Sequence, residues 1–338
     1  MTTIKPISVS SSKTSPDNPM TAAEMGKLRA TYLGNSMSKC IISYYLQHVE
    51  DEDIKTLLEN ALTIVVDFMQ SIETLFNKEN FPLPKGFGEE DVNLNAPRLF
   101  EDEFYVHYLK YTAKAGMSIY SVAIPLVFRD DIKEFFVNSM KSTIELMEQI
   151  KALLMAKGFI IKPPIVPVPE KVEYVDYKFT NGYLGEVRPL HALEITHFYD
   201  NIENSITSKA LVMAFSQVAK DEEIRELFKK GTDITSTNIE KYRKKLEDQN
   251  LPAPSLIDHL VTESAIPPFS DKIMLFHKMD MFSMKIRAIG NSIAVDGRND
   301  ISLLYSGAFM RVSDFAKEAL KLYIQNGWME KPILAIDR

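Results

Sequence analysis

The sequence predicts an all-α protein: two tandem four-helix bundles from an internal duplication, joined by an extended, proline-rich strap. Three observations predict it. Apolar residues recur at three- and four-residue steps over long segments. Glycine is scarce, 13 in 338 residues. The second half of the chain also repeats the first at a fixed offset. The expected boundaries are a disordered tail at 1–19, a first bundle at 20–160, the strap at 161–188 and a second bundle at 189–338.

The repeat is read residue by residue. Segment 39–84 aligns without gaps on 209–254, an offset of 170. Identical pairs include Lys39/Lys209, Gln47/Gln217, Asp51/Asp221, Ile54/Ile224, Leu57/Leu227 and Asn80/Asn250. Both copies then run into Pro-x-Pro, Pro82/Pro84 and Pro252/Pro254. Pro97/Pro267 and His107/His277 continue the series at the same offset, which places a one-residue loss after His277. Beyond it the offset is 169, with Arg129/Arg298, Asp131/Asp300, Gly158/Gly327 and Pro163/Pro332.

The tail is rich in Ser, Thr, Lys and Pro and lacks the apolar core of a secretion signal, so it reads as disordered. Four helices are expected near 21–48, 51–78, 101–127 and 130–157, and four more near 189–218, 221–248, 270–295 and 299–326. The second carries one stripe of Ile54, Leu57, Leu58, Ala61, Val65, Phe68 and Ile72. Asp51 and Asp221 stand where an N-cap is wanted, followed by acids that suit the positive end of a helix. Gly158 and Gly327 end the fourth helix of each copy, because glycine accepts the left-handed conformation of a C-terminal cap. Phe159 and Trp328 then anchor the chain. In the strap, Pro163, Pro164, Pro167 and Pro169 exclude helix. The residues after them are β-branched and aromatic, and Tyr174, Tyr177 and Phe179 are expected to bury themselves against a bundle.

Composition narrows the function classes. The net charge of −7 is spread along the chain, and no basic cluster with exposed aromatics gives a nucleic-acid footprint. No apolar run reaches the ~20 residues of a membrane helix. The single cysteine, Cys40, cannot form an intramolecular disulfide and reads as a buried hydrophobe. These features suggest a cytoplasmic setting. No glycine-rich phosphate loop, nucleophile elbow or Cys-x-x-Cys occurs. Met274, Met279, Met281 and Met284 read as core packing in the third helix of the second copy.

The long connection between second and third helices, 79–100, invites comparison with ferritin-like di-iron bundles. Extended, it could reach roughly 70 Å, enough to cross a helix of roughly 40 Å. The metal chemistry of that fold needs Glu-x-x-His on two helices. The expected places hold Glu59 to Leu62, Asp233 to Ser236, Glu145 to Glu148 and Asp314 to Lys317, none with the histidine. No cofactor is therefore predicted. The remaining candidates for a divalent metal are His191, Glu194 and His197, spaced by three along one helix, together with His107 and His277. Set beside that reading is a plainer one: Glu24 and Glu194 are first-turn or capping carboxylates and the histidines are hydrogen-bonded.

The segment from Pro267 through Pro268, Phe269 and Asp271 to His277 carries a family resemblance. So do the duplicated units starting at Asp51 and Asp221 and the repeated Asn-x-Pro-x-Pro. The chain resembles domain-of-unknown-function family 3231, found mainly in spore-forming Bacillus-type bacteria. More distantly it is similar to spore coat protein F and the ferritin-like superfamily. The resemblance covers nearly everything after the tail and implies two ferritin-like bundles, cytoplasmic or associated with the forespore or spore. It transfers no site residues. The expected function is a non-enzymatic structural or interaction protein whose partners are other proteins or further copies of itself. The alternative is a divergent metal- or small-molecule-binding protein.

Overall fold

The structure is a computed structural model, and it describes residues 7, 18–159, 162–183 and 187–335. Most of the expected disordered tail lies outside those residues. Eight long helices are present among them, α1 Ala22–Tyr45, α2 Glu52–Lys78, α3 Asp102–Ala123, α4 Asp130–Ala156, α5 Ala192–Val218, α6 Glu222–Glu247, α7 Asp271–Ile293 and α8 Asn299–Gln325. Their ends fall within four residues of those expected from the sequence. The only extended pairing among the described residues is two isolated antiparallel bridges.

The caps follow from local chemistry. Asp51 accepts the N–H groups of Asp53 and Ile54, and Asp221 accepts that of Ile224. Gly158 and Gly327 have φ of 71° and 70°, and the following Phe159 and Trp328 donate back to Leu154 and Tyr323. The identical Asn80 and Asn250 are also left-handed, φ 53° and 54°, ending α2 and α6. Asparagine tolerates that conformation better than other residues with a side chain.

Each unit is two antiparallel hairpins joined by a crossover. The start of α3 lies beside the start of α2, since Asp102 accepts the backbone N–H groups of Glu50 and Asp51. Asp271 does the same for Lys220 and Asp221 in the second unit. The connection between α2 and α3 therefore returns along the whole bundle. At the far end, buried Glu24 on α1 accepts the N–H groups of Phe128 and Arg129 at 2.9 Å each and so ties α1 to the start of α4.

The two crossovers meet. Val92 bridges Phe269, and Phe100 bridges Val261. Asn93 N–H donates to Pro268 at 2.7 Å, while Thr262 N–H donates to Leu99 at 3.0 Å. Ser270 N–H donates to Asp91, and Glu101 N–H to Leu260, both at 2.9 Å. Each pair maps onto another when the units are exchanged at an offset of 169, so a pseudo-twofold axis relates the units here. This corrects the register read from the sequence. The lost residue falls inside the crossover, between Pro84 and Val92, and not after His277. Pro97/Pro267 and His107/His277 are therefore coincidental identities, and the counterpart of His277 is Tyr108. A loop absorbs a deletion at little cost, whereas a deletion inside α7 would rotate its following face by about 100°.

One hydrophobic core runs through the second unit and into the first, from Tyr44, Tyr45 and Tyr108 to Phe215, Phe269 and Phe282. A smaller cluster with Leu28, Phe76, Tyr120 and Phe136 closes the far end of the first unit. Between them lie buried Thr31, Asn35, Ser139 and Thr143. The strap departs from expectation. Tyr174 is 99% and Tyr177 85% exposed, and only Phe179 is partly covered, by the Arg188 guanidinium 3.9 Å above its ring. The strap meets the helices at Pro163 and Pro164, before the two tyrosines.

Candidate functional site

A cavity of about 440 Å³ lies where the units meet. Its walls come from α1 (Arg29, Leu33, Gly34, Asn35), α3 (Tyr111, Tyr120) and α7 (His277, Asp280). Pro332 and Ile333, from the segment after α8, reach across to close it over the first unit. Glu330 fixes that segment by an ion pair to Arg29 at 3.0 Å and by accepting the Gly86 N–H at 2.9 Å.

The pseudo-twofold mate of this place is also hollow, about 550 Å³, and Pro163 and Pro164 cross onto α5 there just as Pro332 and Ile333 cross onto α1. Its charges are paired: Lys110 with Glu203 at 2.5 Å, and Lys114 with Asp200. The α1 counterparts of Asp200, Glu203 and Asn204 are Ala30, Leu33 and Gly34, all on the wall of the first cavity. Small and apolar residues there open the space, and the α1 cation on its wall, Arg29, is paired with Glu330. Burial raises the Asp280 carboxyl above its ordinary value, opposed by Arg287 two turns along α7.

His277 is 1% exposed, and its Nε2 lies 2.9 Å from the Tyr108 hydroxyl, while its Nδ1 has no hydrogen-bond partner. Burial lowers its pKa to about 4, so the ring is neutral at physiological pH. The buried Thr31 hydroxyl on α1 is likewise unpartnered. This arrangement can hold a molecule with an apolar body and a donor or cationic head. Outside Asp280 and neutral His277, nothing in it is poised for acid–base work.

The metal candidates are dispersed. His191 is the N-cap of α5, its Nδ1 accepting the Glu194 N–H at 3.3 Å. Glu194 is buried and holds Arg188 through two bonds of 2.8 Å, while accepting N–H groups of His191 and Gly297 at 3.0 Å each. Burial raises its pKa, but those donors outweigh it and the net shift is downward. His197 lies two turns further along α5. His107, on α3, has Nε2 3.4 Å from Glu103, and His277 sits in the core. Among the described residues no three His, Cys, Asp or Glu side chains gather around one point. No helix among them is long and apolar enough to cross a membrane.

Sequence reasoning missed Asp280. Its signal was weak but present: a lone acid in the methionine-rich stripe of α7.

No curated protein matches the chain. A solved structure titled "putative spore coat protein" from Bacillus halodurans C-125 is similar at 20% identity, with a TM-score of 0.41, over 46% of this chain and 100% of that one. The family described as protein of unknown function (DUF3231) matches twice, over residues 9–172 and 178–338, once for each repeat. The chain therefore belongs to the DUF3231 family, in tandem duplicate.

Proposed function

We propose that this is a non-enzymatic binding protein that holds a small amine-bearing molecule in the cavity between its two units. The observation that carries the reading is Asp280: an acid on the wall of a partly open 440 Å³ cavity, at the pseudo-symmetric mate of a site where both acids are paired with lysines. Ligand sites of this kind are mostly apolar, with a few polar groups that fix orientation. Each unit is read as ferritin-like, which the crossover and the hairpin order support. The setting is read as the cytoplasm, from composition, or the forespore or spore, from the family resemblance. A fluorescent fusion confined to vegetative cells would remove the forespore and the spore from that setting.

The test uses ligand-observed NMR with the full chain and matched fragments, primary amines against their neutral alcohols. Amines should bind at least tenfold tighter, and Asp280→Asn should abolish the preference. Gly34→Leu should block both classes, since a Cβ at Gly34 meets nothing within 4 Å and the added side chain would enter the space. Equal binding of amines and alcohols, or binding indifferent to both substitutions, would sink the reading.

A second reading, an interaction protein, is favoured by the strap. Val168, Val172, Tyr174 and Tyr177 are 90%, 89%, 99% and 85% exposed on an extended segment, and a second copy of the chain is the occupant we propose. Sedimentation of the wild type and Tyr174→Ser/Tyr177→Ser decides it. Monomers in both cases would exclude self-association through the strap.

A further inference from the structure

Two lysines in the interior of the second unit have no acid acting on them among the described residues. Lys278 is fully buried and Lys285 is 5% exposed; they stand two turns apart on the inner face of α7, with Phe282 between them. The Lys278 ammonium donates to the Ser208 hydroxyl at 2.6 Å and lies 4.1 Å from the Phe282 ring, and the Lys285 ammonium lies 5.9 Å from the same ring. Lys285 Nζ has no hydrogen-bond partner. Burial pushes its pKa down to about 7, and the charged group that acts on it, Arg311, pushes the same way. Lys278 is lowered by burial and by Lys285.

Three further polar groups lie on the helices around α7. Phe282 packs on Phe315 of α8 at 4.5 Å. One turn toward the C-terminus of α7 reaches Lys285, and one turn toward the N-terminus of antiparallel α8 reaches Arg311. Arg311 donates to Asn238 Oδ1 on α6 at 2.9 Å, which fixes the amide and leaves Asn238 Nδ2 without a partner. Arg311 Nε is unpartnered as well. On α5, Ser205 lies one turn from Ser208 in the direction of Lys285, and its hydroxyl is buried and unpartnered.

The fold does not require this. In the first unit the counterparts of Lys278, Lys285, Arg311 and Asn238 are Leu109, Gly116, Ser142 and Phe68, and the same bundle forms. Unpartnered buried donors are costly, and several of one sign are costlier still. The cavities of 440 and 550 Å³ do not reach these residues, which restricts a guest to a few atoms.

We infer that Lys285, Arg311, Asn238 and Ser205, backed by Lys278, form a buried site for a small inorganic anion within the second bundle. Arg311 is bonded to Asn238 and acts electrostatically on Lys285, Ser205 is a further buried donor from α5, and the chemistry has the opposite sign to the metal sites that bundles build from facing helices. A halide or a compact oxyanion would satisfy the donors and hold both lysines protonated.

The test uses the full chain prepared in sodium gluconate. Crystals soaked in bromide should show an anomalous peak within about 3.5 Å of Lys285 Nζ, at hydrogen-bonding range for a large anion. At constant ionic strength, the melting temperature should rise by about 2 °C or more for each tenfold increase in the bound anion above its Kd. Bromide, sulfate and phosphate are compared, and the one that acts identifies the guest; if an oxyanion acts, its density at the same place replaces the bromide peak. Lys285→Met should lose the dependence while keeping its helical circular dichroism. Should that variant not fold, the diffraction result on the wild type still decides. No anion density at Lys285, with a melting temperature indifferent to all three salts, would mean that Lys285 is merely held neutral and would overturn the inference.

Discussion

His277 and Tyr108 are one position of the duplicated unit met twice, and they touch each other across the pseudo-twofold axis at 2.9 Å. A residue that contacts its own counterpart marks the axis, and here both members are buried. Divergence made the contact complementary, a hydroxyl against an imidazole, where two identical tyrosines would have to share donor and acceptor roles.

That pair sets a pH response. His277 has a folded pKa of about 4, lowered by burial, against about 6.5 in the unfolded chain. Between those values the unfolded state binds more protons, so stability is complete above pH 6.5 and falls as the pH drops toward 4. Urea melts of wild type and His277→Gln across pH 7 to 4 should show a steeper loss in the wild type. A double-mutant cycle with Tyr108→Phe should give a coupling of about 1 kcal/mol. Parallel pH profiles would show that the imidazole is not held neutral.

Lys285 gives the opposite end of the scale. Its folded pKa of about 7 lies below the unfolded value of 10.5, with Lys278 and Arg311 the cations nearest it. The penalty for burying its charge is whole below pH 7, and stability rises between pH 7 and 10.5 as the folded form loses its proton first. In gluconate buffer, Lys285→Met should be more stable at pH 7 by on the order of a few kcal/mol and should lose that slope. Equal stability of the two proteins at pH 7 would contradict it.

Much of this was legible in the sequence, and the parts that were not have physical reasons. Stripes such as Ile54, Leu57, Leu58 and Ala61, and caps such as Asp51 and Gly158, are local signals that read out helices and their ends. Length only allowed a crossover, and it is the contacts of Asp102 and Asp271 that show the start of α3 beside that of α2 and the start of α7 beside that of α6. Register across the axis is a tertiary property, and a single deletion in a loop was enough to mispair Pro97 and His107 with chance identities. The buried lysines escaped notice because a cation two turns from another on a methionine-rich face looks like an amphipathic edge. Only packing shows that the face points inward.

Glu24 and Glu194 should behave as paired structural anchors. Burial raises the Glu24 pKa, but the Arg129, Thr21 and Phe128 hydrogen bonds prevail and leave it lowered overall. Its contribution is therefore present above about pH 4.5 and is lost as the pH falls through its folded value. Glu24→Gln should cost about 1–2 kcal/mol at pH 7, as loss of a charged cap does. Glu194→Gln should cost more, since it leaves Arg188 without its bidentate partner. Denaturant titration ranks the two; a neutral Glu24→Gln would show that the α1–α4 tie is not needed.

The two glycine caps offer a check on the duplication itself. Gly158 and Gly327 share φ near +70°, and a Cβ added at either would meet nothing within 4 Å. Alanine at either place should cost about 1 kcal/mol through backbone strain alone. Similar losses for Gly158→Ala and Gly327→Ala in thermal melts are expected, and a silent Gly158→Ala would argue that α4 frays before its cap.

The last expectation concerns what holds the units together. The strap is extended, proline-rich and exposed, with the Lys171 side chain 75% accessible, so a protease should cut there first. Cutting should not separate the halves. Their crossovers pair through four backbone hydrogen bonds, Tyr111 donates to the Met281 carbonyl at 2.9 Å, and one apolar core passes between them. Each unit also lends the other its trailing segment, Pro163 and Pro164 on α5, Pro332 and Ile333 on α1. Limited trypsin digestion should give two bands by denaturing electrophoresis and one peak, at the intact mass, by native size exclusion. Separation of the fragments without denaturant would show that covalent linkage, and not the shared core, keeps the cavity between the units closed.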